Sequence, residues 1–206
     1  MFKKSLLVLI LFAFVSCGPV VLVPPVLDLI PYERVGLISF SIENAKGALD
    51  EMATQRFLQE ITVFQQGAQI IELGTVDEVL GKVEKNTLDQ EAVQAIGKYF
   101  NVTSFFYGKI IVSEVKPDID IAAIIQSLRV RASFSISATS RFVSTETSAT
   151  LWTNSVDRKG HTADMSLGPD RIPYFDLRDE DEAYKDLMER LIHDLTRDLR
   201  PTKRRL

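Results

Sequence analysis

The chain has 206 residues, of which 46% are hydrophobic and 25% are charged, and its formal net charge is −4 at pH 7. These values are ordinary for a globular protein and exclude a disordered, collagen-like or multi-span membrane chain. The acidic balance also argues against a nucleic-acid partner, and the single cysteine excludes an intrachain disulfide.

Residues 1–16 have the pattern of a secretory signal peptide. Lys3 and Lys4 precede an apolar run from Leu6 to Val15, and small residues follow it. The run is about half as long as the roughly 20 residues that a membrane-spanning helix needs. The alternative is an apolar helix that is retained as an anchor. The pattern favours export with removal of the segment.

The only cysteine lies directly after this run. Val15-Ser16-Cys17 resembles the bacterial lipobox, which implies lipidation of the Cys17 sulfur, cleavage after Ser16 and acylation, for example with palmitate, of the new amino group. Several acyl chains anchor stably, since each buried methylene contributes about 0.8 kcal/mol. The alternative is a buried structural cysteine. Gly18 differs from the aspartate that resembles an inner-membrane retention signal, so we expect a periplasm-facing protein on the outer membrane.

Residues 17–33 are predicted to form a stiff, lipidated tether. The segment holds four of the eight prolines, Pro19, Pro24, Pro25 and Pro31, and proline favours extended backbone. It is also rich in aliphatic residues, so we expect it to pack on the membrane, on its own domain or on a neighbouring chain. Replacing Val20–Ile30 by a Gly/Ser linker is expected to leave folding intact.

The first half of the predicted domain, which spans residues 34–201, alternates strands with helices. The predicted elements are a strand at Arg34–Ser41, a helix at Gly47–Gln66, a strand at Gln69–Leu73 and helices at Thr75–Val83 and Thr87–Tyr99. Thr75 with Glu78, and Thr87 with Gln90, match the capping box that opens a helix.

The second half is predicted to be mainly antiparallel. A β-rich run at Ser104–Val115 ends before Pro117, and strict alternation begins at Arg129, with the predicted inward face formed by Val130, Ala132, Phe134, Ile136 and Ala138. Thr150–Asp157 is predicted to pair back with Trp152 in the hairpin core. Residues 158–178 are predicted to be irregular, Glu180–Arg200 a helix, and 202–206 a basic tail. The fold class is therefore α/β (α+β), a single domain with a mixed β-sheet flanked by helices.

Three stretches together resemble the curli-secretion lipoprotein family. They are Arg34–Phe40, then Ala95–Ile110 with Gly97 and Gly108, and finally Val130–Trp152. Similar proteins include the activator lipoproteins of penicillin-binding proteins. The resemblance implies an anticodon-binding-domain-like fold and a binding module rather than an enzyme.

The resemblance also raises the alternative of a subunit of a curli-type outer-membrane secretion pore. Such a subunit would contribute two membrane hairpins, each with two strands of roughly 9–11 residues. Asp118–Leu128 is too short for this, and Arg158–Arg178 carries charges and prolines that are costly in lipid. The sequence therefore favours a relative that does not form the pore.

Four features that could carry chemistry have a simpler structural interpretation. They are the histidines His161 and His193, the alternating serines Ser133, Ser135 and Ser137, the Gly74–Lys82 segment and the acidic cluster Asp179–Glu182. The histidines do not have the spacing of zinc ligands, and the serines are not in a nucleophile motif. Gly74–Lys82 differs from the phosphate loop in its spacing. The acidic cluster lies at the start of a predicted helix, where carboxylates complement the helix dipole.

The sequence thus predicts no catalytic, cofactor or metal site, and lipidation at Cys17 as the one functional modification. The leading hypothesis is a bacterial lipoprotein that acts as a binding or assembly accessory module in the cell envelope. Its expected partners are the membrane, through the lipid anchor, and a protein partner or further copies of the same chain.

Overall fold

The computed structural model describes residues 20–44, 49–113, 116–119, 130–167, 173–177 and 180–205. The predicted signal peptide and Cys17 lie outside the described residues. None of the described helices is long and apolar enough to cross a membrane.

Eight strands form one mixed sheet, and two further strands pair separately. The strands are β1 (Val20–Val23), β2 (Arg34–Ile38), β3 (Ser41–Glu43), β4 (Gln69–Gly74), β5 (Ser104–Val112), β6 (Lys116–Ile119), β7 (Val130–Ser144), β8 (Thr150–Leu167), β9 (Pro173–Leu177) and β10 (Thr202–Arg205). The main order is β4-β2-β5-β7-β8-β9, with β3 beside β5 and β6 beside β7. Pairs among β2, β3, β4 and β5 are parallel, and pairs that involve β7 or β8 are antiparallel. The predicted fold class is confirmed.

Helices cover both faces of this sheet. They are α1 (Leu49–Phe64), α2 (Val76–Lys82), α3 (Gln90–Phe100) and α4 (Glu180–Leu195). Side chains of β5 alternate between the faces, so Phe106 joins one core cluster with α1 and α4, whereas Phe105 joins a second cluster with α2 and α3. Each face of the central strands is therefore buried by a different helix pair.

The predicted alternation along β7 is confirmed where its side chains are described. Ile136 and Ala138 are buried, and Ser135 lies on the opposite, partly exposed face. The side chain of Phe134 lies outside the described set. Trp152 is buried against Phe106 with ring centroids 6.0 Å apart, which confirms the predicted hairpin core.

One of the two predicted capping boxes is present. Thr75 and Glu78 form it reciprocally at α2. The second prediction is wrong, because Asp89 caps α3 by accepting a hydrogen bond from the Ala92 amide, and Thr87 bonds to Asp89 instead. That amide hydrogen bond lowers the pKa of Asp89.

The prediction of irregular chain over residues 158–178 is also wrong. β8 continues to Leu167 and pairs antiparallel with β9. β8 is long because β7 is long, and the backbone of β7 provides hydrogen-bond partners to β8 from Val130 to Val143. A paired strand with a wet face tolerates the polar residues that suggested a loop.

The last helix ends earlier than predicted. α4 ends at Leu195, and a 3₁₀ turn follows at Arg197–Leu199. Thr196 donates its hydroxyl to the Ile192 carbonyl at 2.9 Å, which satisfies a free C-terminal group of the helix. The tighter turn places Leu199 in the core.

We expect Gly97→Ala to destabilise the domain by about 1–3 kcal/mol. A Cβ at Gly97 would lie 2.6 Å from the Oγ1 of Thr145, whose hydroxyl donates to the Val102 carbonyl at 2.8 Å. The control is Gly81→Ala, since a Cβ at Gly81 meets nothing within 4 Å. Alanine is the better helix former, so the control should be neutral or stabilising by up to about 1 kcal/mol. Urea denaturation of both variants tests this, and a stabilised Gly97→Ala variant would contradict it.

Candidate anchor site

The described chain after Cys17 divides into an exposed strand, β1, and a strap in which Leu27 and Leu29 are buried. We define the strap as residues 24–33. Its Leu29 is 0% exposed and Leu27 is also buried, whereas the side chains of β1 are 36–62% exposed. The predicted tether is therefore a spacer only in its first part. The expectation that a Gly/Ser linker could replace Val20–Ile30 without loss of folding is wrong, because Leu27 and Leu29 belong to the core.

One buried side-chain amide makes three of the hydrogen bonds at the point where the strap meets the body. Gln65 follows α1, and its Oε1 accepts a hydrogen bond from the Leu29 amide at 2.8 Å. Its Nε2 donates to the Leu27 carbonyl at 2.9 Å and to the Leu199 carbonyl at 2.7 Å. These bonds use the acceptor and both donors of the side chain. Gln65 thus joins the strap, α1 and the 3₁₀ turn.

Asp198 makes a second connection at the same place. Its carbonyl accepts hydrogen bonds from the amides of Val26 and Leu27 at 2.8 and 3.1 Å. Its carboxylate accepts one from the indole of Trp152 at 3.3 Å. We call Leu27, Leu29, Gln65, Asp198 and Leu199 the anchor junction. It fixes the start of the domain to the end of the domain.

A charged cluster lies beside the junction, between α1 and α4. The buried carboxylate of Glu60 lies 3.2 Å from Arg56, 3.4 Å from His193 and 3.9 Å from Arg200. Arg200 precedes β10, so the cluster positions the chain just before that strand. Burial of Glu60 requires such partners, because an unpaired buried carboxylate is strongly unfavourable.

β1 and β10 form a two-stranded antiparallel ribbon, which we call the terminal ribbon. Val20 pairs with Arg205, Val21 with Arg204 and Leu22 with Lys203, and Val23 with Thr202. All side chains of both strands are exposed. The predicted tether and the predicted basic tail are thus partners in one structure.

The residues that the sequence singled out for other chemistry have structural partners or positions. His193 contacts Glu60 and is 53% exposed, and the backbone of His161 lies in β8 rather than in a loop. Ser137 donates to Asp157, and Gly74–Lys82 ends β4 and forms α2. The side chains of Ser133 and Asp179–Glu182 lie outside the described set. Within the side chains that the structure describes, no His, Cys, Asp and Glu group could hold a metal ion.

A shallow groove lies on the polar face of β5 and β7. Its volume is about 360 Å³, and Tyr107, Lys109 and Arg141 are among its lining residues. Lys109 lies 2.7 Å from Glu43, and the Arg141 guanidinium lies 3.5 Å from the Tyr107 hydroxyl. Its charged groups are therefore already engaged with neighbours on the same face.

Sequence reasoning missed Gln65, which carries most of the anchor junction. A glutamine after a helix and before Gly67 has no distinctive pattern. The spacing of Leu27 and Leu29 was the available signal, since alternate apolar residues in extended chain mark a buried face.

Comparisons with known proteins give resemblances in fold without a family. No protein-family profile and no curated protein matches the chain. A PelC dodecamer from Paraburkholderia phytofirmans is similar at 11% identity and a TM-score of 0.48, covering 89% of this chain and 98% of that one. Lipoprotein GNA1162 from Neisseria meningitidis is similar at 15% identity and a TM-score of 0.40, covering 62% and 83%. The LpoB C-terminal domain from Salmonella enterica is similar at 8% identity and a TM-score of 0.41, covering 64% and 84%.

Proposed function

We propose that this chain is a bacterial lipoprotein, anchored by acylation at Cys17, whose domain faces the periplasm from the outer membrane as a binding or envelope-assembly accessory module. The observation that carries the proposal is the anchor junction. The strap, which begins seven positions after the predicted anchor, is fastened by Gln65 and Asp198 to the end of α1 and to the 3₁₀ turn. A lipid on Cys17 would therefore hold a rigid body rather than a loosely tethered one.

The distance between lipid and body is short. Leu27 is ten positions after Cys17, so an extended chain between them spans at most about 35 Å. From Leu27 onward the strap is fixed to the body, because Leu27 and Leu29 are buried in its core. The domain would consequently work close to the membrane surface, where an assembly accessory meets partners embedded in or attached to the envelope.

We propose binding rather than catalysis as the activity. His193 is engaged with the Glu60 cluster, and the hydroxyls of Thr139 and Ser155 pair across strands at 2.9 Å. These side chains bond to other groups of the fold, and we propose that they support the scaffold of a binding module. The partner is a second envelope protein or further copies of this chain.

A subunit of a curli-type secretion pore is the second candidate. The observation in its favour is that two hairpins, β6–β7 and β8–β9, lie side by side in the sheet. Against it, β6 has 4 residues and β9 has 5, about half of the roughly 9–11 that a membrane-spanning strand needs. Native crosslinking separates the two candidates. A pore subunit should be recovered as detergent-stable rings with lipid contacts at residues 163–177, and an accessory module should not.

Cys17→Ser tests the anchor itself. We expect the variant to lose acylation and to leave the membrane fraction, since the lipid is the main source of membrane affinity. Intact-mass spectrometry of the natural protein should show an acylated first residue at Cys17. Ser16→Gly, which keeps a small residue at the cleavage position, is the control and should remain acylated. An unmodified Cys17 with residues 1–16 still attached would contradict the proposal.

A further inference from the structure

The terminal ribbon combines apolar and cationic side chains on the same faces. Directly paired residues of an antiparallel ribbon share a face, so Leu22 lies beside Lys203 and Val21 beside Arg204. Leu22 is 62% and Val20 is 55% exposed. Exposed aliphatic residues in this density are unusual on a water-facing surface. Neighbouring lysine and arginine side chains can place their charges in a polar layer while their stems lie along apolar groups.

The position of the ribbon along the chain specifies what it meets. Val20 is three positions after Cys17, so their backbones are at most about 11 Å apart. This is close to the Debye length of about 8–10 Å at physiological ionic strength. Charges on β10 can therefore come within about one Debye length of a membrane that holds the Cys17 lipid, where they are only partly screened.

The ribbon also lacks a core of its own. Two-stranded ribbons are marginal in water unless another surface covers them, and all four β1 side chains are exposed. The junction holds only its base, through the Val26 and Leu27 amides on Asp198. A surface that takes up the apolar side chains and neutralises the basic ones would stabilise the whole ribbon.

We infer that the terminal ribbon docks on an anionic phospholipid surface, with β1 in the interfacial layer and Lys203, Arg204 and Arg205 on lipid phosphates. This inference rests on the proposed function, because acylation at Cys17 delivers the ribbon to the bilayer. The lipid supplies attachment, and the ribbon supplies orientation. Together they fix which surface of the domain faces away from the membrane.

The test is depth-dependent quenching in the acylated protein. An environment-sensitive fluorophore is placed at Leu22→Cys, with Val63→Cys on α1, 54% exposed, as the matched site. The protein is reconstituted into vesicles of phosphatidylethanolamine and phosphatidylglycerol that carry a headgroup-region nitroxide. We expect strong quenching at position 22, none at position 63, and loss of the effect in phosphatidylcholine vesicles.

Charge variants test the basic strand separately. The triple variant replaces Lys203, Arg204 and Arg205 by glutamine in protein without acyl chains. We expect its partition coefficient onto the anionic vesicles to fall by on the order of 100-fold. The charge-matched control neutralises Lys82, Lys85 and Lys98, which lie away from the ribbon, and should change partitioning by less than about threefold. Equal effects of the two triple variants would overturn the inference.

Two other results are decisive against it. Quenching that is equal at positions 22 and 63 would mean that the ribbon does not touch lipid. If the fluorophore at position 22 instead reports an apolar environment in phosphatidylcholine vesicles, and if this signal grows with protein density, the ribbon contacts a second copy of this chain. If mass spectrometry shows Cys17 unmodified, the proposed function fails, and quenching of a Cys17→Ser protein that is labelled at position 22 or 63 still decides the docking question at millimolar lipid.

Discussion

Ile136→Asp should abolish cooperative folding of this domain. The Ile136 side chain is fully buried in the cluster between the sheet and the helices α1 and α4. An aspartate there would bury an unpaired carboxylate at a cost of several kcal/mol. That cost is comparable with the whole stability of an ordinary domain, about 5–15 kcal/mol. Circular-dichroism melting should show a lost or strongly lowered transition.

The neighbouring residue provides the control. Ser135 points to the opposite face of β7 and lies across from Lys159 on β8. Ser135→Asp adds the same charge one residue away, and a cross-strand lysine favours it. This variant should melt within a few degrees of the natural protein. Equal melting temperatures for the two variants would show that the face assignment of β7 is wrong.

Gln65→Leu should lower the free energy of unfolding by at least about 3 kcal/mol. The change leaves the Leu29 amide and the Leu27 and Leu199 carbonyls without the partner that each has in the buried junction. Each buried group left unsatisfied costs about 1–3 kcal/mol. Gln65→Glu should be similarly harmful, because it directs a carboxylate oxygen at two carbonyl oxygens.

Gln66 makes the comparison direct, since it is the next residue and is exposed. Gln66→Leu should change stability by no more than about 0.5 kcal/mol. Urea denaturation gives both values, and limited proteolysis should cut the strap of the Gln65 variants before the body unfolds. Similar stability losses for Gln65→Leu and Gln66→Leu would mean that the junction contributes little.

The parts of the fold that were predicted correctly are those with a local pattern. Period-two alternation on β7 places Ile136 and Ala138 inside, and helical spacing predicts α1, whose Phe57 and Ile61 are buried. Both patterns arise because one face of each element is buried. The apolar and polar residues then record the geometry of the element directly in the sequence.

Most parts of the fold that were missed depend on residues far away along the chain. The end of β8 is set by the length of β7 rather than by its own composition. The pairing of β1 with β10 joins the two ends of the described chain, and neither strand carries a signal for the other. The predicted cap of α3, Thr87, was wrong for a local reason, since the side chain of Asp89 lies closer and accepts the hydrogen bond from the Ala92 amide. Lipidation of Cys17 remains a prediction.

The Gln65 amide also has a consequence for the order of folding. It connects groups that lie 36, 38 and 134 positions away along the chain. Such distant closures are late and slow, because chain entropy opposes them until most of the body has formed. During synthesis, which begins at the N-terminus, the strap must wait until Leu199 has been made. The 3₁₀ turn that carries Leu199 therefore closes the strap, and a truncation before Leu199 should release it.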